Sequence, residues 1–267
     1  MALPPPSTTS TCLVTGASSG IGTDIARELA QRGHGVTLVA RREDKLREVA
    51  EELSSRHGIR AETIGCDLGE AAERERLVKE IESRGLTVEV LANNAGFGTG
   101  GRFQRLGLDR ELQLVRLNVE AVVHLCGIYA PQMARRGQGA ILNVASTVAF
   151  QPLPRQATYS ASKSFVLHFT EALNADLHGT GVTVTTLCPG LTQTEFFEVG
   201  GMSEEASNAP DFMIMSAAET AKIGVRGVEK GRRTVVAGSF NAAGAVGGRL
   251  MPRSILLPLL RRVYPIK

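Results

Sequence analysis

Seven short apolar runs rich in β-branched residues punctuate the chain, at Cys12–Thr15, Gly35–Ala40, Ala61–Gly65, Val88–Asn93, Ala140–Ala145, Val182–Cys188 and Thr234–Ala237. Between them apolar residues recur at steps of three and four, as in Ile21/Ile25/Leu29, Leu46/Val49/Ala50/Leu53, Leu112/Val115/Val119/Val122 and Phe165/Phe169/Ala172/Leu173. That is the period of a helix with one buried stripe. Parallel strands need a long crossover, and a crossover helix covers one sheet face. The alternation therefore predicts an α/β protein, a single doubly wound domain with a parallel sheet of about seven strands and helices on both faces. In such sheets ligands bind beyond the carboxyl ends of the strands, so residues just after each strand are where chemistry is expected.

One domain can accommodate 267 residues, because α/β units reach about 250 residues. An apolar share of 43% with 21% charged residues argues against extensive disorder, and 4% aromatics without tryptophan argues against a nucleic-acid stacking platform. No nucleic-acid partner is expected. The four cysteines lie far apart with no C-x-x-C pair, and the five histidines lack ligand spacing, so no metal site is signalled. Cys188, beside Pro189, is expected to be a buried small apolar residue rather than a nucleophile, and a reducing, cytoplasmic location is expected; no run reaches the roughly 18 apolar residues of a membrane span. The reading divides the chain into a flexible Pro/Ser/Thr-rich lead-in (1–10), a body (11–248) containing a substrate lid (191–215), and a tail (249–267). After Glu229 the chain holds eight basic residues and no acid. The tail mixes leucines with arginines, and docking on the body or on a second subunit is expected, with contact to an anionic membrane surface as the alternative.

The first strand runs through Thr15-Gly16-Ala17-Ser18-Ser19-Gly20-Ile21-Gly22 into a helix. Glycines there let backbone approach a pyrophosphate, and the helix start offers free N–H groups and a partial positive charge. Gly16, Ser18, Ser19, Gly20, Ile21 and Gly22 are the candidate phosphate-binding residues. The second strand ends at Arg41-Arg42 with no acid at Ala40. Guanidinium groups suit a 2′-phosphate where a carboxylate would suit a 2′-hydroxyl, so NADP(H) is favoured over NAD, with Arg41 as the main contact and Arg42 and Ser18 beside it.

With these motifs stand Cys66-Asp67-Leu68, Asn93-Asn94-Ala95-Gly96, Asn118, Ser146, Tyr159-Ser160-Ala161-Ser162-Lys163 and Pro189-Gly190 with Thr194. Together, from about residue 11 to 238, they resemble the short-chain dehydrogenase/reductase family in its single-domain, Rossmann-type form. The resemblance implies Asp67 and Leu68 at the adenine, and Asn94, Ala95 and Gly96 along the adenosine. It implies Pro189 and Gly190 beside the nicotinamide, Thr192 and Thr194 toward the carboxamide and diphosphate, and a homo-oligomer, dimer or tetramer.

Tyr159 and Lys163 are four residues apart, hence on one helix face. A nearby ammonium favours a phenolate, so the phenol pKa is expected below its usual value of about 10. Ser146, at a strand end, is placed to orient a substrate oxygen. The resemblance further implies that Lys163 reaches the nicotinamide ribose and that Asn118 holds a water for proton relay. The expected reaction is hydride transfer between NADP(H) and a carbonyl or secondary alcohol, with Tyr159 as acid–base. The alternative is a non-catalytic NADP(H)-binding sensor or scaffold. Phe97–Gly101, Val148–Leu153 and the lid residues Phe196, Phe197, Met202, Phe212, Met213 and Met215 are expected to line a hydrophobic substrate cleft.

Overall fold

A computed structural model describes residues 3–195 and 214–263. All seven apolar runs are strands with ends within two residues of expectation: β1 (Ser10–Thr15), β2 (Val36–Ala40), β3 (Ala61–Gly65), β4 (Thr87–Asn93), β5 (Gly139–Val144), β6 (Val182–Cys188) and β7 (Thr234–Val236). They form one parallel sheet in the order β3-β2-β1-β4-β5-β6-β7. The helices are α1 (Gly20–Ala30), α2 (Glu43–His57), α3 (Ala71–Ser83), α4 (Leu108–Val115), α5 (Ala121–Arg136), α6 (Ala157–Asp176), α7 (Ala217–Glu229), α8 (Ser239–Leu250) and α9 (Arg253–Val263).

Successive strand residues point to opposite faces, and two separate cores result. Cys12 and Val14 of β1 join Ile25 and Leu29 of α1, Leu46 and Leu53 of α2 and Val225 of α7. Leu13, between them, joins Leu77 of α3, Leu125 of α5 and Val166 of α6 on the other face. The winding reverses between β1 and β4, which opens a crevice at their carboxyl ends.

Two helical stripes differ from expectation. A π-turn at Arg116–Glu120 joins α4 to α5 and shifts the phase, so Leu114 and Asn118 are buried while Leu112 is exposed. On α6 the inward face is Tyr159, Lys163, Val166 and Thr170; Phe165 is exposed and stacks on Phe169. Three of those four inward residues can hydrogen-bond, which hides the face from an apolar count.

The lead-in, expected to be flexible, is bonded down from Leu3. Leu3 packs on the α1/α2 core, Pro4 is buried, Ser7 and Ser10 exchange backbone-to-hydroxyl bonds, and Arg60 donates to the Thr8 and Ser10 carbonyls. The boundary expected at 248/249 falls inside α8. Of the expected lid, residues 196–213 lie outside the described residues. Its two ends are joined, Gln193 N–H donating to the Met215 carbonyl and Met215 N–H to the Leu191 carbonyl.

Candidate active site

The residues after β1, β2, β4, β5 and β6 converge on the crevice. At the end of β1, Gly16 and Gly20 adopt positive φ (65° and 58°), a conformation open to glycine at little cost. A Cβ on Gly22 would overlap the Gly16 carbonyl and the Asn94 amide, and one on Gly20 would stand 2.8 Å from the Thr194 methyl. Ser19, the α1 N-cap, makes no side-chain cap bond, so the first-turn N–H groups face the crevice uncapped by it.

Asn94 braces this loop. Its amide donates to the carbonyls of Thr15 (3.0 Å) and Gly16 (3.3 Å), while Thr15 Oγ1 accepts from the N–H groups of Asn94 and Ala95. The Asn94 side chain is thus committed to shaping the cradle. Asp67 accepts from Gly69 N–H in a tight turn, and Leu68 is buried.

The two arginines are not equivalent. Arg41 is largely exposed, 4.0 Å from Asp67. Arg42, expected to be secondary, reaches over the glycine loop and donates to Ser18 Oγ and Ser19 Oγ.

On the opposite wall, Ser146 follows β5 and caps the 3-10 turn Thr147–Phe150, with Val148 N–H donating to its hydroxyl. The Ser146 side chain hydrogen-bonds the Tyr159 phenol. Tyr159 packs with Phe97 and Leu114, and Leu117 and Val148 close that apolar wall. Lys163 is buried; its Nζ donates to the Val144 carbonyl at 2.9 Å and lies 5.9 Å from the Tyr159 ring centre.

Burial governs both ionisations. It pushes the Tyr159 phenol up to about 12, against the opposing Ser146 hydrogen bond, and pushes Lys163 down to about 8. This corrects the expectation that the ammonium would acidify the phenol: desolvation, which disfavours the charged form of each group, dominates both shifts. The Cys188 thiol, also pushed up to about 12 by burial, is an inert part of the core.

Asn118 sits on the π-turn, a distortion common at functional sites. It clamps Phe97, donating to its carbonyl (2.9 Å) and accepting from its N–H (3.2 Å), and also donates to Ser162 Oγ. A Cβ on Gly96 would stand 2.9 Å from Asn118 Oδ1 and 3.4 Å from Lys163 Nζ, so backbone, asparagine and lysine meet there. Ser162, quoted within the Tyr159–Lys163 motif but given no role there, links Asn118 to the Tyr159 carbonyl. Sequence reasoning missed Asn241 of α8, whose amide lies against Gly190 and donates to the Ala237 carbonyl; no spacing marks it. Among the described residues no group of three His, Cys, Asp or Glu stands together as a metal site.

Residues 10–202 match the short chain dehydrogenase family model. The chain belongs to the short-chain dehydrogenase family. Within that family it is 36% identical over 253 residues to a putative ketoacyl reductase of Streptomyces coelicolor, covering 88% of this chain and 96% of the relative. Among solved structures it resembles a short-chain dehydrogenase from Sphingobium yanoikuyae in complex with NADPH (TM-score 0.80, 30% identity, covering 97% and 96% of the two chains). It also resembles a bulky-bulky ketone specific alcohol dehydrogenase from Comamonas testosteroni (TM-score 0.74, 26% identity, covering 95% and 92%). Like these short-chain dehydrogenases it is an oxidoreductase of carbonyl and alcohol groups.

Proposed function

We propose that the protein is an NADP(H)-dependent reductase of hydrophobic ketones, with Ser146, Tyr159 and Lys163 as its catalytic set and Asn118 as a positioning residue. The observation that carries this reading is the Ser146–Tyr159 hydrogen bond with Lys163 buried one helical turn away, facing the glycine cradle across the crevice. The crevice fits a dinucleotide: close backbone approach at Gly16, Gly20 and Gly22, a helix start with no side-chain cap bond at Ser19, and arginines at the cradle's edge. Arg41, Arg42 and Ser18 would hold the 2′-phosphate, with Asp67 and Leu68 at the adenine. Ala95 and Gly96 would lie along the adenosine, and Pro189, Gly190, Thr192 and Thr194 toward the nicotinamide end. When bound, the cofactor supplies the hydride that reaches the carbonyl carbon.

The chain's own part is proton delivery and orientation. A phenol held near 12 is fully protonated at neutral pH, so Tyr159 is a ready acid for the nascent alkoxide, and Ser146 adds a second donor to the same oxygen. Lys163 supplies positive charge beside it in a dry setting where charge acts strongly. The names of the Streptomyces and Comamonas relatives, a ketoacyl reductase and a bulky-ketone alcohol dehydrogenase, and the apolar wall of Phe97, Leu114 and Val148 support a hydrophobic substrate. A non-catalytic binder would have no use for the proton-donating set. A spectrophotometric screen of ketones with NADPH and NADH tests the reading; oxidation of neither by any hydrophobic ketone would overturn it.

The tail supports docking on the body. Leu256 and Leu260 of α9 are buried, and a cleft of about 830 Å³ between α6 and the C-terminal helices is lined by Leu153, Leu257, Arg249, Arg253 and Arg261. Leu250, Ile255 and Leu259 face outward, which favours a second contact for that face, either another subunit or an anionic membrane. Sedimentation with anionic vesicles, comparing the full chain with an Ile255→Ser/Leu259→Ser variant, separates the two. No helix among the described residues is long and apolar enough to cross a membrane.

A further inference from the structure

The Arg42 guanidinium is held from two sides at the mouth of the cradle. From the glycine loop, Ser19 Oγ accepts from its Nη2 at 2.8 Å, and Ser18 Oγ accepts from Nη2 at 3.1 Å and Nε at 3.3 Å. From the far side, on the segment following β6, Glu195 Oε2 pairs with its Nη1 at 2.9 Å. That segment is anchored without the ion pair, by Thr194 packed on Gly20 and by the backbone bonds among Leu191, Gln193 and Met215. Both charged side chains are about half exposed (45% and 50%), so the pair is weak and open to exchange.

We propose that the Glu195 carboxylate is an internal occupant of the phosphate position at Arg42, displaced by the 2′-phosphate of NADP(H), and that it thereby tunes the discrimination between NADPH and NADH. The inference rests on the reading of Arg42 as a 2′-phosphate ligand. A phosphate brings more charge and more acceptor oxygens to a guanidinium fork than a carboxylate does, so the exchange runs toward phosphate. NADH has no such group to trade and meets an intact pair. Among the described residues the acid within ion-pair range of Arg41 is Asp67, at 4.0 Å. Neutralising Glu195 leaves the two serine contacts in place and frees the Nη1 donor, so the effect is confined to the competing charge.

The experiment is direct titration of NADPH and NADH, read by dihydronicotinamide fluorescence, on the full chain and on Glu195→Gln, Arg42→Ala and the double variant. Glu195→Gln is expected to tighten NADPH about three- to tenfold and to leave NADH within about twofold, with no gain in the double variant over Arg42→Ala alone. Weaker NADPH binding by Glu195→Gln would make the carboxylate a clasp over the cofactor and overturn the proposal, as would equal tightening of both cofactors. An Arg42→Ala variant that binds NADPH as well as wild type would instead remove the 2′-phosphate reading itself. Wild-type discrimination retained with an inert Glu195→Gln would sink the Glu195 inference alone.

Discussion

Lys163 Nζ donates to the Val144 carbonyl at 2.9 Å, which ties the ammonium to the last residue of β5, two positions before Ser146. The lysine is therefore a buried charge with one backbone acceptor, and burial lowers its pKa from 10.5 to about 8. A folded pKa below the unfolded one means that the unfolded chain binds more protons between those values, so this group's penalty is full below pH 8 and is relieved as pH rises toward 10.5. Lys163→Met is expected to raise stability at pH 7 by about 1–2 kcal/mol, the desolvation relief less the lost hydrogen bond, and to abolish turnover. Denaturant melts should show the gap to wild type narrowing from pH 8 to pH 10; a constant gap would contradict the assignment.

Tyr159→Phe removes the proton donor but leaves the cradle intact. NADPH affinity is expected to stay within about twofold while turnover falls on the order of 10²- to 10⁴-fold. With the wild-type phenol near 12, alcohol oxidation, which needs the phenolate, should keep rising with pH through neutrality to about pH 10 without a plateau. A pH–rate profile levelling off near neutrality would show that the phenol is acidified during catalysis.

Asn118→Ala leaves the Phe97 N–H and carbonyl buried without their partner. A loss of about 2–4 kcal/mol is expected in chemical denaturation, together with a raised KM as the Phe97 wall loosens. Asn118→Ser, able to restore one of the two bonds, should recover part of both. Unchanged KM in the alanine variant would confine the residue to a purely architectural role.

Gly22→Ala sets a methyl group against the Gly16 carbonyl and the Asn94 amide, so the loop must shift. NADPH binding is expected to weaken by more than about tenfold with circular dichroism unchanged, since loop geometry within about 0.5 Å governs such sites. Wild-type affinity would show that the cradle is not where the dinucleotide sits.

The seven strands, their parallel sense and the placement of chemistry beyond their carboxyl ends were legible because strand–helix alternation and crossover geometry leave a chain like this few alternatives; the strand order was not. Thr15 to Gly22 was legible for a similar reason, since close backbone approach tolerates few residue types. The helical stripes were less so: at Leu112 and Phe165 apolar spacing pointed outward, because a π-turn reset the phase and α6 turns polar catalytic residues inward.

By itself, then, the sequence determined the winding of the sheet and which side chains stand at its carboxyl edge, since both follow from residue type and local spacing. Tertiary packing alone decided that Arg42 rather than Arg41 lies over the cradle, that Asn118 clamps Phe97, and that the Tyr159 and Lys163 pKa values move apart. Each of these depends on which surfaces exclude water and which groups meet across distant segments, and spacing along a chain carries neither.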